Sequence, residues 1–423
     1  MDYYNYDIVI VGGGISGLYT AYKLQENYKK ILLIEKNGYI GGRIHTNTLT
    51  YKGNKFRYEC GAGRLPTNHK RVMSLIDELN LSDKLFKLGN KKIYITNSQS
   101  NLDIDLEFYI KDFMTKAEEE TETYLRNNTL YDFLLKLYEV EIVETIINKF
   151  GYKGEFWVYS AYDALRAFTN DMNPDNKYMG VKGGIDLIIY GLLDRLNSNV
   201  TVMKKMYYNG YDEISNKFIV SVTNKKTKEI NEFISDKLIL ALPKNQIEIQ
   251  PQLQSKRIRK MVHSVEAVSF CRIYAVYNKN KQTDKVWFDD LSKVTTNNKL
   301  GYIIPINKDI GLIMISYTDD IFADFWYASF KNGDIGRQLY NHLKEIFPNR
   351  DIPMRPAITR VHYWGSGGHF FTPGSNSEKV IKDIVKPFNS KELYIIGESY
   401  SSHQSWIEGA LETSDLAINK ILY

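Results

Sequence analysis

The sequence predicts an α/β fold whose parallel sheet is assembled from separated stretches, with a mixed α+β domain and a helical subdomain inserted between them. Three observations carry this. An apolar run, Tyr6-Asp7-Ile8-Val9-Ile10-Val11, passes at once into Gly12-Gly13-Gly14-Ile15-Ser16-Gly17 and then into a helical segment reaching about Leu24. A second run, Ile31-Leu32-Leu33-Ile34, ends in Glu35. Strand signals of the same kind return at Phe218 to Val222, at Lys237 to Ala241 and at Leu393 to Ile396, far from the first pair.

An apolar run that turns through glycines into a 3.6-period segment is a buried parallel strand feeding a helix. Gly12 allows the turn, Gly14 lets a diphosphate approach the backbone, and Gly17 lets the helix lie close on the strand. The helix N-terminus offers free N–H groups and a positive dipole end. Glu35, at the end of the second strand, is placed to accept from ribose hydroxyls. Strand, spacing and acid together predict a bound dinucleotide.

At 423 residues the chain is long enough for two or three compact units. Its 43% hydrophobic and 25% charged residues are those of an ordinary globular protein. With 55 basic against 50 acidic side chains the net charge is +5, and the Lys-rich tracts Asn224 to Lys228 and Lys279 to Lys285 read as solvated turns rather than a nucleic-acid surface. Two cysteines, Cys60 and Cys271, cannot build a disulfide framework, and no close Cys/His spacing suggests a metal. Met1 to Tyr6 is a short polar lead with no room for a signal peptide, and no apolar run is long enough to span a bilayer. A soluble cytoplasmic protein is therefore expected, with the oligomeric state open, a homodimer included.

Along the chain, Lys36 to Gly41-Gly42-Arg43 is a second glycine turn whose arginine is suited to pair with phosphate. Gly61-Ala62-Gly63-Arg64-Leu65-Pro66 is a third, leading into an amphipathic helix with Val72, Leu75, Ile76 and Leu79 on one face. Leu106 to Phe150 reads as helical throughout, including the acidic Glu118 to Glu122. Val181-Lys182-Gly183-Gly184 opens a further helix. Residues 243–371 alternate strand signals with one helix, Ile335 to Phe347; Phe270, Arg272, Tyr274 and Val276 share a strand face, and Ser316 to Asp320 closes another strand. Last come Gly397-Glu398 and a helix starting at Ser405-Trp406-Ile407-Glu408-Gly409. The expected division is 1–70, 180–245 and 372–423 for the nucleotide domain, 71–179 for a largely helical part of a substrate domain, and 246–371 for its mixed sheet.

These motifs, over essentially the whole chain, resemble those of the flavin-dependent amine oxidases. Four fall in the family's order: the Gly12 to Gly17 turn with Glu35, Gly41-Gly42-Arg43, Lys182-Gly183-Gly184, and Gly397-Glu398 followed by Trp406-Ile407-Glu408-Gly409. An NAD enzyme needs only the first. The resemblance implies a Rossmann-like, glutathione-reductase-type domain that binds FAD non-covalently through Gly12, Gly14, Ile15, Ser16, Gly17, Glu35, Lys36, Gly41, Gly42, Arg43, Gly61, Ala62, Gly63, Arg64, Met206, Gly397, Glu398, Trp406 and Ile407. It implies that the last helix points its positive end at the flavin pyrimidine.

Within the family the closest motifs are those of L-amino-acid oxidases and tryptophan monooxygenases. Arg64 matches their carboxylate-clamping arginine, Tyr317 the tyrosine sharing that carboxylate, and Trp406 the aromatic beside the reacting carbon; Phe371 and Trp364 are further wall candidates. Arg272 stands where most of the family has a lysine that holds a water near the flavin, and an arginine is larger and cannot be deprotonated. Ser405 replaces a glycine, and no cysteine is placed for a cysteinyl flavin. Asp319 is either a reader of a basic substrate side chain or a solvent-facing turn acid. The resemblance implies oxidative deamination of a primary amine, foremost an L-α-amino acid, with hydrogen peroxide formed from molecular oxygen. A monoamine or polyamine oxidase, or an FAD-bound binding or regulatory protein without turnover, are the alternatives.

Overall fold

The computed structural model describes residues 4–89, 91–97, 102–173 and 175–423. The chain divides into two units, one made of Met1–Leu88, Ala167–Glu266 and Asn376–Tyr423, the other of Gly89–Arg166 and Ala267–Ser375.

The first unit is built on a seven-stranded sheet. Its centre is Tyr4–Val11, paired in parallel with Ile31–Glu35 on one side and with Ile230–Leu240 on the other. Val200–Lys204 extends the parallel run beyond Ile31–Glu35. Ile8, Val9, Ile10, Ile31, Leu32 and Leu33 are fully buried, the signature of strands covered on both faces. On its other edge Ile230–Leu240 serves two further neighbours: its first half pairs antiparallel with Lys217–Asn224, and its last three residues pair in parallel with Leu393–Ile395. Pieces almost 400 residues apart thus make one sheet. The first helix, Ile15–Leu24, packs on the last, Ile407–Leu422, where the Ser414 hydroxyl donates to the Ser16 carbonyl at 3.2 Å.

The second unit holds a six-stranded sheet in the order Ile358–Phe371, Val265–Val276, Leu312–Asp319, Tyr302–Asn307, Val294–Thr296, Ile93–Ile95. One face buries Cys271, Ile273 and Ala275 against Trp326, Leu339 and Leu343. The opposite face of the same strand carries Phe270, Arg272 and Tyr274, as the alternation predicts.

Several expectations are corrected. The stretch read as helical throughout is broken into four helices, Leu106–Ala117, Glu122–Asn127, Leu130–Leu137 and Val140–Phe150, because Thr121 caps one and Thr129 caps the next in a reciprocal box with Asp132. Residues 243–371 contain not one helix but also Lys244–Glu248, Lys256–Val262 and Asp320–Lys331. Asp320 does not close a strand; it starts the aromatic-rich helix Asp320–Lys331, which buries Ala323, Trp326 and Ser329 at a spacing of three. The unit boundaries also run past the expected ones: residues 71–88, 167–179 and 246–266 belong to the first unit. Pairing explains part of this, since Tyr178–Val181 forms one small sheet with Leu65–Pro66 and Leu85–Lys87. Met1 to Tyr3 of the polar lead lie outside the described residues.

Candidate active site

In the first unit the glycine turn is shaped by contact. A Cβ on Gly12 would sit 2.2 Å from the Ala241 carbonyl oxygen, and one on Gly17 would sit 2.1 Å from the Gly12 carbonyl oxygen. No side chain fits at either position. Gly14 differs: a Cβ there would meet nothing within 4 Å. It is the N-cap of Ile15–Leu24, and no side chain caps that helix. Open space before uncapped helix N–H groups is what a diphosphate needs.

Glu35 is buried, its carboxylate accepting from the Gly13 N–H at 2.9 Å and the Asn37 N–H at 2.7 Å, with Lys36 between. The second glycine turn is laid on the first, where the Gly41 N–H donates to the Gly13 carbonyl at 2.8 Å. The third is laid on the second, where the Ala62 N–H donates to the Arg43 carbonyl at 2.9 Å. Arg43 reaches across 355 residues to Glu398, Nη1 to Oε1 at 2.5 Å. The other oxygen of Glu398 accepts from the Ser405 N–H at 2.8 Å. Met206, buried, begins the edge strand Met206–Ile214. Groups named from four separate motifs thus converge, and the open cradle at Gly14, the buried acid and the Arg43–Glu398 pair fit a dinucleotide flavin.

Next to this cradle stands an aromatic group. Trp406 is the N-cap of Ile407–Leu422, and Ile407 behind it is buried. Ser405, in the place of the resembled family's glycine, sits at φ +70°, a left-handed conformation that serine adopts at a cost. Arg64 sets its guanidinium 4.7 Å from the Tyr178 ring centre and 5.4 Å from that of Trp406. Tyr178 and Trp406 lie nearly parallel, 18° apart. Glu408, buried in the first turn of the last helix, accepts from the backbone N–H groups of Arg71 and Val72 at 3.1 and 3.0 Å, which fixes the start of Lys70–Glu78 against that helix.

Three residues that sequence reasoning passed over also meet here. His69 Nε2 lies 2.8 Å, and His403 Nδ1 2.6 Å, from the same Asp171 oxygen. Local spacing could not have found them, since they are about 100 and 230 residues apart. Tyr178 was one tyrosine among 32 and carried no signal of its own.

In the second unit Arg272 is buried with its guanidinium 4.2 Å from the Tyr317 ring centre. Burial works against its charge, but the phenol oxygens of Tyr317, Tyr274 and Tyr152 outweigh that and hold it firmly cationic. Tyr152 meets Tyr317 edge-on at 5.3 Å. Phe371 is buried, its carbonyl accepting from the Ser160 N–H at 2.8 Å, and Trp364 lies on the same strand. Asp319 is not the solvent-facing turn acid: it is buried, and Oδ2 accepts from the Lys153 and Gly154 N–H groups at 2.8 and 2.7 Å. Burial pushes its carboxyl up to about 6 against those donors.

The structure therefore brings Arg64 and Trp406 together in the first unit, and Arg272 and Tyr317 together in the second. Both cysteines are buried. Among the described residues no helix is long and apolar enough to cross a membrane.

Comparison with known proteins gives the same outline. Residues 15–422 match the family described as flavin containing amine oxidoreductase. A protein of Acanthamoeba polyphaga mimivirus is 23% identical over 97% of this chain and 92% of its own. An L-amino-acid oxidase of Siganus canaliculatus is 22% identical over 98% of this chain and 85% of its own. Among solved structures, putrescine oxidase bound to putrescine matches with a TM-score of 0.73 at 17% identity, covering 99% of each chain.

Proposed function

Because the chain belongs to the flavin containing amine oxidoreductase family, we propose that it oxidatively deaminates a primary amine and that this amine is an L-α-amino acid. The overall reaction consumes the amino acid, water and molecular oxygen and yields a 2-oxo acid, ammonia and hydrogen peroxide. Non-covalently bound FAD supplies the two-electron acceptor for the hydride that leaves the amine-bearing carbon.

The chain's own part is binding, orientation and exclusion of water. Gly12, Gly14, Ile15, Ser16 and Gly17 would hold the diphosphate, together with Arg43. Glu35 and Lys36 take the ribose end, and Gly61, Ala62, Gly63, Met206, Gly397, Glu398 and Ile407 complete the cofactor's seat. Arg64 grips the substrate carboxylate, and Trp406 walls the reacting carbon. Arg272 holds a fixed positive charge where the resembled family's lysine stands.

The observation that carries the amino-acid reading is the stacking of Arg64 on Tyr178 beside Trp406. A guanidinium fork held against aromatic faces is pre-organised for a planar carboxylate. The full-length likeness to an L-amino-acid oxidase points the same way. Peroxide and ammonia release should be measured for the L-amino acids and for the amines formed by removing their carboxylates. Turnover confined to the amino acids supports the reading; turnover of alkyl amines or polyamines alone replaces it with a simple amine oxidase.

A further inference from the structure

The deamination chemistry leaves one group of titratable side chains in the first unit without a role. His69 precedes the helix Lys70–Glu78, Asp171 follows Ala161–Asn170, and His403 stands three residues before Trp406. Their facing atoms lie within 4.8 Å of one another. One Asp171 oxygen faces both ring nitrogens, at 2.8 and 2.6 Å, so each nitrogen must carry a hydrogen. The other oxygen, Oδ2, is buried without a hydrogen-bond partner. His69 and Asp171 are closed off from solvent, while the His403 side chain is 20% exposed.

A carboxylate buried in this way keeps its charge only beside a cation. The surroundings decide which group supplies it. From the last helix, Glu408 and Glu412 face His403. Arg71, on the helix after His69, is engaged by Glu408 and Asp415. Arg64 lies against Tyr178 and Trp406, and the Tyr178 hydroxyl donates to the Asp171 carbonyl at 3.1 Å. Burial opposes a charge on His403, but Asp171 and then Glu412 and Glu408 outweigh it and raise its pKa. His403 is thus a ring whose protonated form its surroundings favour.

The bridge reaches Trp406 through the His69 ring, which meets the indole edge to face at 5.2 Å and 87°, while the His403 backbone carbonyl accepts from the Trp406 backbone N–H at 3.2 Å. We propose that His69, Asp171 and His403 form a one-proton bridge that positions Trp406, closed while His403 carries its proton and opened when it is lost. Its bearing on catalysis rests on the reading of Trp406 as a wall of the substrate site. None of the three needs to touch substrate, so they are positioning residues.

Trp406 emission in the holoenzyme, taken as wild type minus Trp406→Phe, is followed between about pH 5 and pH 9. The expected result is a single one-proton transition, centred above the ordinary histidine value of about 6.5. It should vanish in His403→Gln, which keeps an N–H donor but cannot carry the charge, and persist in His263→Gln. Flavin reduction by substrate should fall about tenfold across the same transition, with a smaller change in KM, and lose that pH limb in His403→Gln. A transition that survives His403→Gln, or none in the wild type, overturns the proposal. So does stoichiometric zinc that resists dialysis against a chelator and is lost in His403→Gln, since the ring nitrogens would then face a metal. Because the emission needs no substrate, a normal transition with no amine turnover leaves the bridge standing and removes only the substrate reading.

Discussion

Arg64, stacked on Tyr178 and Trp406, is fixed in place before any carboxylate arrives. A charge-assisted hydrogen bond of this kind contributes about 1.5–3 kcal/mol. Arg64→Ala should therefore raise KM for an L-amino acid by roughly 10- to 100-fold. KM for the matching decarboxylated amine should move by less than about threefold, and steady-state kinetics on both check this. Equal losses on the two would make Arg64 structural. Asp319 is the opposite case, a residue whose work is in the fold. Asp319→Ala strands the Lys153 and Gly154 N–H groups in the interior and should cost about 2–4 kcal/mol in denaturant unfolding. Arg64 and Trp406 were legible because their neighbours in sequence are motifs. Asp319 was not, because its donors lie 165 and 166 residues away and a Thr-Asp-Asp stretch looks like a solvated turn.

At the scale of elements, the cradle separates two kinds of glycine. Gly17→Ala forces a Cβ to within 2.1 Å of the Gly12 carbonyl oxygen, so the first helix must shift off its strand. Overpacking of that sort costs about 1–3 kcal/mol, and both apoprotein melting temperature and flavin content should fall. Gly14→Ala meets nothing within 4 Å and should leave apoprotein stability unchanged while lowering the flavin-to-protein ratio, because the methyl occupies the space left for phosphate. A Gly14→Ala protein that keeps the wild-type flavin content would contradict the cradle. The strand–glycine–helix unit was readable from the consecutive apolar residues Ile8-Val9-Ile10-Val11 and the glycines after them. The helix Asp320–Lys331 was not, because its apolar residues are mostly aromatic and its start follows a strand without a break.

Over the whole molecule, the discontinuous organisation could be read from returning strand signals, whereas the unit boundaries depend on pairings such as Leu65–Pro66 with Tyr178–Val181 that local pattern does not encode. The same long-range contacts set the pH dependence of stability. His403 has a folded pKa raised above its unfolded value of 6.5, so its contribution is fully present below 6.5 and is lost as pH rises through the folded value. Asp319 is an acid whose burial raises it from 3.8 to about 6, which disfavours its charged form, so stability also falls as pH rises across that window. Urea midpoints of wild type and His403→Gln should therefore differ most in mild acid and converge in alkali; a gap that widens with pH would reverse the sign.

The central claim is that this chain oxidises the amine carbon of an amino acid gripped by its carboxylate. Rapid anaerobic mixing of the yellow holoenzyme with L-amino acids, and separately with the amines lacking that carboxylate, tests it most directly. At least one L-amino acid should bleach the flavin band, at a rate well above that given by its decarboxylated partner. Equal or faster bleaching by the amines would contradict the grip, and no bleaching by any of them would contradict the assigned reaction.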